Sequence, residues 1–305
     1  MPPTILTVRA RDGTELAVAE HHAAGDGPLA MLHHGIASHM GWYHALAAAL
    51  ADEGVTTWIA DRRGCGRSGG LRGHMSSWRV GVDDVVRVAD QAAAAHPGRP
   101  LHAIGISLGA AFTLAASIER PGLFLSQALL TPGLASSIRV PWHRRVRLAG
   151  QSSAFPRTTL DVPIALDQFT DDAAWQASIR DDPLRTRSVT ARFLIETLLL
   201  QRHVRRGGAA LRLPILTLLA ERDAIIDNDL VVAALTRSGS RAVRVEVFEG
   251  ATHVLPATIP RTELVMRIVR WFSGEVPPVA DRVFVTKVPR FPAAAGVPSP
   301  APDLV

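Results

Sequence analysis

The residues with the most chemical meaning in this chain are Gly105-Ile106-Ser107-Leu108-Gly109. A Gly-x-Ser-x-Gly pentapeptide recurs by chance, so its context decides what it means. Here the strand-like LHAIGI runs into it and the helix-like LGAAFTLAASIE runs out. A serine on such a strand-to-helix turn projects its hydroxyl from the edge of a sheet. Side chains in place of Gly105 and Gly109 would crowd the turn. The helix N-terminus behind Ser107 offers oriented N–H groups to a developing negative charge. A helix N-cap serine is the plain alternative, and the strand leading into the motif disfavours it.

A serine hydroxyl needs a base, and the base needs an acid to orient it. When a serine occupies this kind of turn, the chain order is Ser, acid, His. LRLPILTLLAERDAIID delivers Asp223 just past a strand, and VRVEVFEGATHVL delivers His253 just past another. Both fall at C-terminal strand ends, where α/β sheets build their sites. Asp223 competes with Glu221, which is nearer the strand, and with Asp227 and Asp229, which suit caps of the following helix. The chain has 12 His, and topology rather than type singles out His253. An oxyanion needs two donors. The N–H of Leu108 is one candidate, and the N–H of Ile36, after His33-His34-Gly35, is the other. The plain reading of the His pair is a polar turn. Metal binding ranks below it, since no carboxylate clusters with the pair in the sequence. Cys65 sits in a Gly-rich turn and carries little weight as a nucleophile. No metal or organic cofactor is expected.

The elements around these residues alternate. ILTVRA and ELAVAEHH flank Asp12-Gly13 as an opening antiparallel hairpin. LAMLHH, VTTWIAD, LHAIGIS and FLSQALLTP read as strands, with HALAAALADEG, VGVDDVVRVADQAAAAH and LGAAFTLAASIER as helices between them. Such alternation predicts a mostly parallel sheet with helices on both faces. The rhythm breaks after Pro132 and resumes with LRLPILTLLA, DNDLVVAALTR, AVRVEVFEG and the amphipathic TELVMRIVRWFSG. The domain reading is therefore a core of 1–134 and 209–274, a largely helical insertion over 135–208, and a Pro-, Ala- and Val-rich tail over 275–305. Within the insertion, 171–179 and 188–205 read as helices. The tail reads as poorly ordered or draped extended over the surface.

Composition excludes several classes. Of the 305 residues 47% are hydrophobic and 20% charged, too apolar for disorder. One cysteine excludes a disulfide framework. No apolar run reaches the length of a membrane span, and no signal peptide is evident, so the default location is cytoplasmic. The formal charge of +5 sits in the insertion, where 12 Arg face 7 acidic residues. No nucleic-acid motif accompanies it, so nucleic acid is not an expected partner. The stretch RVPWHRRVR over 139–147 suits a lipid interface or an acidic headgroup, which makes transient membrane contact one reading. A solvated helix face is the simpler one. A Gly-x-Gly-x-x-Gly after the first strand is absent, which disfavours dinucleotide binding. Ser rather than Asp at the elbow disfavours a dehalogenase.

HHGIASHMGWYHALAAALADEGVTTWIADRRGCGRSGG, GISLGA, LLAERDAIID and GATHVL together resemble the α/β-hydrolase superfamily. Within it the chain is most similar to the monoacylglycerol lipase and lysophospholipase branch, grouped with serine aminopeptidase-like hydrolases. That branch pairs His-Gly with a later Tyr, matched by His34-Gly35 and Tyr43. Its Asp-x-Arg-Gly-x-Gly-x-Ser turn is matched from Asp61 to Ser68. Asp182-Pro183-Leu184 resembles a tripeptide of its cap. The resemblance implies an eight-stranded α/β-hydrolase core, a cap roofing an apolar pocket, and a small-molecule ester substrate. Ala37-Ser38-His39 stands where the family often has Gly-Glu-His, and Ala220-Glu221-Arg222-Asp223 where Gly-x-x-Asp is usual. Acyl transfer through the same acyl-enzyme, peptidase activity, and non-catalytic binding are the rival readings.

Overall fold

The computed structural model describes residues 2–137, 148, 150–240, 242–275 and 283–291. Nine strands form one sheet in the order β1-β2-β4-β3-β5-β6-β9-β10-β11. The opening hairpin is β1 (Thr4–Arg9) and β2 (Glu15–His21), antiparallel, and β2 also runs antiparallel to β4 (Thr56–Ala60). From β4 onward every neighbouring pair is parallel: β3 (Leu29–His33), β5 (Leu101–Ile106), β6 (Gln127–Leu130), β9 (Ile215–Ala220), β10 (Val243–Phe248) and β11 (Val283–Val288). Every residue of β3, β4, β5, β6 and β9 is buried. That is why these strands read as mostly apolar runs without a regular polar alternation, since a strand covered on both faces has no solvent side to alternate with.

The helices include α1 (His44–Asp52), α2 (Trp78–Ala95), α3 (Leu108–Glu119), α4 (Leu166–Phe169), α5 (Ala173–Asp181), α6 (Ala191–Gly207), α7 (Asn228–Thr236), α8 (Leu255–Thr258) and α9 (Arg261–Phe272). They cover the two faces of the sheet. His33 lies beside Gly105 in register, so their side positions share one face, and His33 packs edge-on to Phe112 of α3. His102, three residues before Gly105, points the other way and stacks on Phe272 of α9 at 4.3 Å. Helix α3 buries nearly all its length, and its run of Ala lets it lie close to the sheet.

The insertion holds more than helix. Thr159–Asp161 (β7) and Ser188–Thr190 (β8) pair as a small antiparallel sheet. Thr190 then caps α6 by accepting from the Phe193 N–H at 3.1 Å. Helix α6 packs against α2 and α3, and its buried Glu196 accepts from the Trp78 N–H at the start of α2, 2.9 Å. The basic stretch 139–147 lies outside the described residues.

The sheet departs from the eight-stranded expectation at one edge. Part of the tail is neither loose nor simply draped: β11 adds a ninth strand, parallel to β10 over six residue pairs from Val243↔Val283 to Phe248↔Val288. β10 presents Val243, Val245 and Phe248 as buried residues, and a covering strand satisfies the backbone groups that its edge would leave open. Among the described residues no helix is long and apolar enough to cross a membrane.

Candidate functional site

Ser107 occupies the junction of β5 and α3 with φ 50° and ψ −121°, a left-handed conformation that costs a non-glycine residue of the order of 1–3 kcal/mol. The surroundings hold it there. Its N–H donates to the Leu130 carbonyl at 3.0 Å, and its carbonyl accepts from Ala110 at 3.0 Å and Gly133 at 2.8 Å. The two motif glycines are there for space, and neither has positive φ. A Cβ on Gly105 would lie 2.5 Å from Ala110 Cα, and one on Gly109 would overlap the His33 carbonyl oxygen. Backbone against backbone leaves nothing flexible to yield.

The three residues proposed from order and topology come together. His253 Nε2 lies 3.1 Å from Ser107 Oγ, and His253 Nδ1 lies 2.8 Å from Asp223 Oδ2. A carboxylate only accepts, so Nδ1 carries the proton and donates it, leaving Nε2 to accept from the serine. The Asp223 side chain is fully buried and its Oδ1 accepts from the N–H groups of Ile225 and Ile226, both at 2.9 Å. The competing acids are placed elsewhere. Glu221 faces the Gly250 N–H at 3.0 Å and Lys287 at 3.5 Å. Asp227 caps α7 through the Leu230 N–H, with Asp229 in the first turn.

Two features of this cluster go beyond the sequence reading. Thr131, after β6, has φ 41° and donates its hydroxyl to the His253 carbonyl at 3.1 Å. The strained β-branched residue ties the histidine loop to the next strand end. The second is the loop after β3. His33 and His34 do not form a polar turn; both rings are buried. Burial pushes His33 down to about 3 and His34 well below the ordinary histidine value, with the Arg62 charge adding to both. His34 Nε2 accepts from the Arg62 N–H at 2.9 Å, so Nδ1 carries the proton and donates to the Gly35 carbonyl at 2.9 Å. Among the described residues, the Ile36 and Leu108 N–H groups find no acceptor.

A cleft of about 430 Å³, counting its open mouth, lies over Ser107 and His253. Ile36, Trp42, Tyr43, Phe169 and Leu255 give it apolar walls. Ser38 brings a hydroxyl that accepts from Tyr43 Oη at 3.3 Å, and burial pushes that phenol up to about 12. The insertion closes one side. The Val254 N–H donates to the Phe169 carbonyl at 2.9 Å, and the Thr186 N–H donates to the Ala37 carbonyl at 3.0 Å. Asp182 Oδ2 accepts from His39 Nε2 at 2.8 Å and Trp42 Nε1 at 2.6 Å.

Among the described residues one grouping, Glu20, His22 and His96, is close enough to share a cation. It lies at the C-terminal end of β2, which runs antiparallel to β4 and so points away from the loops that carry Ser107, Asp223 and His253. His96 Nε2 is engaged by Glu20 at 2.6 Å, and Arg99 stands 3.5 Å from its Nδ1.

Comparison with known proteins agrees with this architecture. Human monoglyceride lipase is 27% identical over 234 residues, covering 76% of this chain and 77% of the relative. Monoacylglycerol lipase of Mycolicibacterium smegmatis is 27% identical over 232 residues, covering 73% and 80%. A soluble variant of monoglyceride lipase from Saccharomyces cerevisiae, solved with a substrate analogue, superposes with a TM-score of 0.81 at 15% identity, over 90% of this chain and 96% of that one. Residues 28–257 match the family described as serine aminopeptidase, S33, and with that match spanning most of a chain folded around the Ser107 turn, the protein belongs to this family of α/β-hydrolases.

Proposed function

We propose that the protein is a serine hydrolase that cleaves the carboxylic ester of a monoacylglycerol, a lysophospholipid-like molecule or another small lipophilic ester. The observation that carries the reading is the hydrogen-bonded chain Asp223–His253–Ser107 at the foot of an apolar cleft. His253 takes the Ser107 proton as Oγ attacks the ester carbonyl. Asp223 holds the Nδ1–H tautomer and stabilises the imidazolium that forms. The N–H groups of Ile36 and Leu108 receive the oxyanion, each worth on the order of 3 kcal/mol. His253 then protonates the leaving alcohol, and an acyl group remains on Ser107. Water, deprotonated by His253, attacks the acyl-enzyme, and the carboxylic acid leaves as Ser107 is reprotonated.

The apolar walls and the similarity to monoglyceride lipases support the lipophilic substrate. Residues 135–208 are read as the cap, and 1–134 with 209–274 as the catalytic core. The test is turnover of short- and medium-chain p-nitrophenyl esters and of a 1-monoacylglycerol by the wild type and by Ser107→Ala. The reading requires activity in the first and its loss in the second. Full activity in Ser107→Ala refutes it.

A further inference from the structure

Arg62 has an unusual position for an arginine. It is 3% exposed, and among the described residues no carboxylate pairs with it. An arginine buried without a counter-ion is rare, because its charge loses hydration. What replaces water here is a set of carbonyl oxygens. Nη1 donates to the His34 carbonyl at 3.3 Å and the Gly35 carbonyl at 3.1 Å. Nη2 donates to the Ile36 carbonyl at 3.2 Å and to Cys65 Sγ at 3.2 Å. The rings of Phe112 and Phe193 lie 5.8 and 5.6 Å from the guanidinium carbon, close enough for cation–π attraction. Three consecutive carbonyls of one loop therefore converge on one charge.

The central carbonyl matters most. The Gly35 C=O and the Ile36 N–H belong to the same peptide unit. That oxygen accepts from Arg62 Nη1 and from His34 Nδ1. A peptide held at its oxygen by two donors cannot rotate, and its N–H is turned to the other side. A charged donor on the C=O also draws electron density towards oxygen and makes the N–H of that peptide a stronger donor, since hydrogen bonds in a chain polarise one another. Charge-assisted bonds do this more than neutral ones.

We propose that Arg62 is a positioning residue: from beneath the loop it fixes and polarises the Gly35–Ile36 peptide so that the Ile36 N–H is preset for the oxyanion. This rests on the proposed role of Ile36 as an oxyanion donor. Arg62 touches no reacting atom, so its effect belongs to the transition state, where charge reaches the oxygen, and not to ester binding.

The test uses Arg62→Met, which keeps a long apolar side chain against Phe112 and Phe193, and Arg62→Lys, which keeps the charge. Two readouts are taken. The first is the kinetics of a p-nitrophenyl ester. Removing an oxyanion donor outright costs 10²- to 10³-fold in kcat. Here the Ile36 donor stays and His34 still holds Gly35, so Arg62→Met is expected to lower kcat about tenfold with KM changed less than about threefold. Arg62→Lys should recover part of the loss. The second readout is a spectrum of protein labelled with ¹³C-carbonyl Gly and ¹⁵N-Ile, in which only Gly-Ile pairs give correlations. The sequence contains two, Gly35-Ile36 and Gly105-Ile106. Arg62→Met should move the first and leave the second in place as a control for folding.

An unchanged kcat, a loss confined to KM, or a Gly35–Ile36 signal that stays where it was overturns the proposal. If both signals move, Arg62→Met has disturbed the fold, and Arg62→Lys decides: with the charge kept, kcat and the first signal must stay closer to wild type, and a tenfold loss there overturns the proposal. If the wild type cleaves no ester, the proposed function fails separately. The label still judges the clamp, which stands if the first signal moves alone and falls if it does not.

Discussion

Asp182 joins the insertion to the loop beside the nucleophile, and its replacement by Asn is the sharpest stability test of the structure. Its side chain is 14% exposed. Oδ2 accepts from His39 Nε2 and Trp42 Nε1, and Oδ1 accepts from the Leu184 N–H at 2.8 Å. His39 Nδ1 accepts from the Gly41 N–H, so the ring donates from Nε2 without needing a charge. Arg187 bonds the Asp182 carbonyl at 3.2 Å, which adds positive potential nearby. Burial alone would raise the Asp182 pKa, but the bonds from His39 and Trp42 outweigh it and hold the group at about 2, against an ordinary 3.8. A gap of nearly two pH units corresponds to about 2 kcal/mol of folding stability. Because the folded value is depressed, this stability is fully present above pH ~4 and is lost as pH falls through about 2.

Asn keeps one acceptor oxygen, which stays with His39 and Trp42 but without the carboxylate charge, and turns its NH₂ towards the Leu184 N–H donor. Asp182→Asn is therefore expected to lose about 2 kcal/mol at pH 7 by urea unfolding. Its deficit against wild type should shrink to roughly half near pH 3 and to little at pH 2. Tryptic cleavage within 150–190, timed for both proteins, reads the insertion locally if it undocks before the core unfolds. A deficit below ~0.5 kcal/mol at pH 7 with unchanged cleavage, or a deficit that stays constant down to pH 2, refutes the reasoning.

Three further outcomes follow from particular contacts. Gly109→Ala sets a Cβ onto the His33 carbonyl oxygen, so it should cost about 3 kcal/mol or more by urea unfolding, or abolish soluble expression; a wild-type midpoint would contradict the close approach of α3. Asp223→Asn should lower kcat for a p-nitrophenyl ester by about 10⁴ with the fold retained; a loss under tenfold would remove Asp223 from the mechanism. A chain ending at Gly274 lacks β11, exposes the β10 edge and frees the Glu249 N–H from the Val288 carbonyl at the start of the histidine loop. It should melt several degrees lower and scatter more light on standing, and an unchanged melting temperature would mean the strand contributes nothing.

Much of the core was readable because its signals are local. β3, β5 and β9 are buried along their whole length and mostly apolar, and the helices between them begin and end at recognisable punctuation. Gly105 and Gly109 report a close approach that a single pentapeptide can announce, since a missing side chain is itself the message. Strand β11 was not readable in the same way. VFVTKV is short, follows a Pro-rich stretch, and pairs with β10 some 40 residues earlier, so its partner is visible only once the sheet is assembled.

The ordering of Ser107, Asp223 and His253 along the chain was enough to nominate them, because each follows a strand at the same end of a parallel sheet. The sequence nominated Asp223 with Glu221 as a competitor two residues away, and the tertiary structure separates them: one carboxyl faces His253 and the other faces Gly250. It also places Arg62 and Thr131. By type one belongs in water and the other fits an extended strand, yet one is buried beneath three carbonyls and the other holds a left-handed turn against the histidine loop. Residue type and spacing determine which elements form and which side chains are available for chemistry. Direction and burial depend on packing between segments far apart in the chain, and those decided which of the available groups meet.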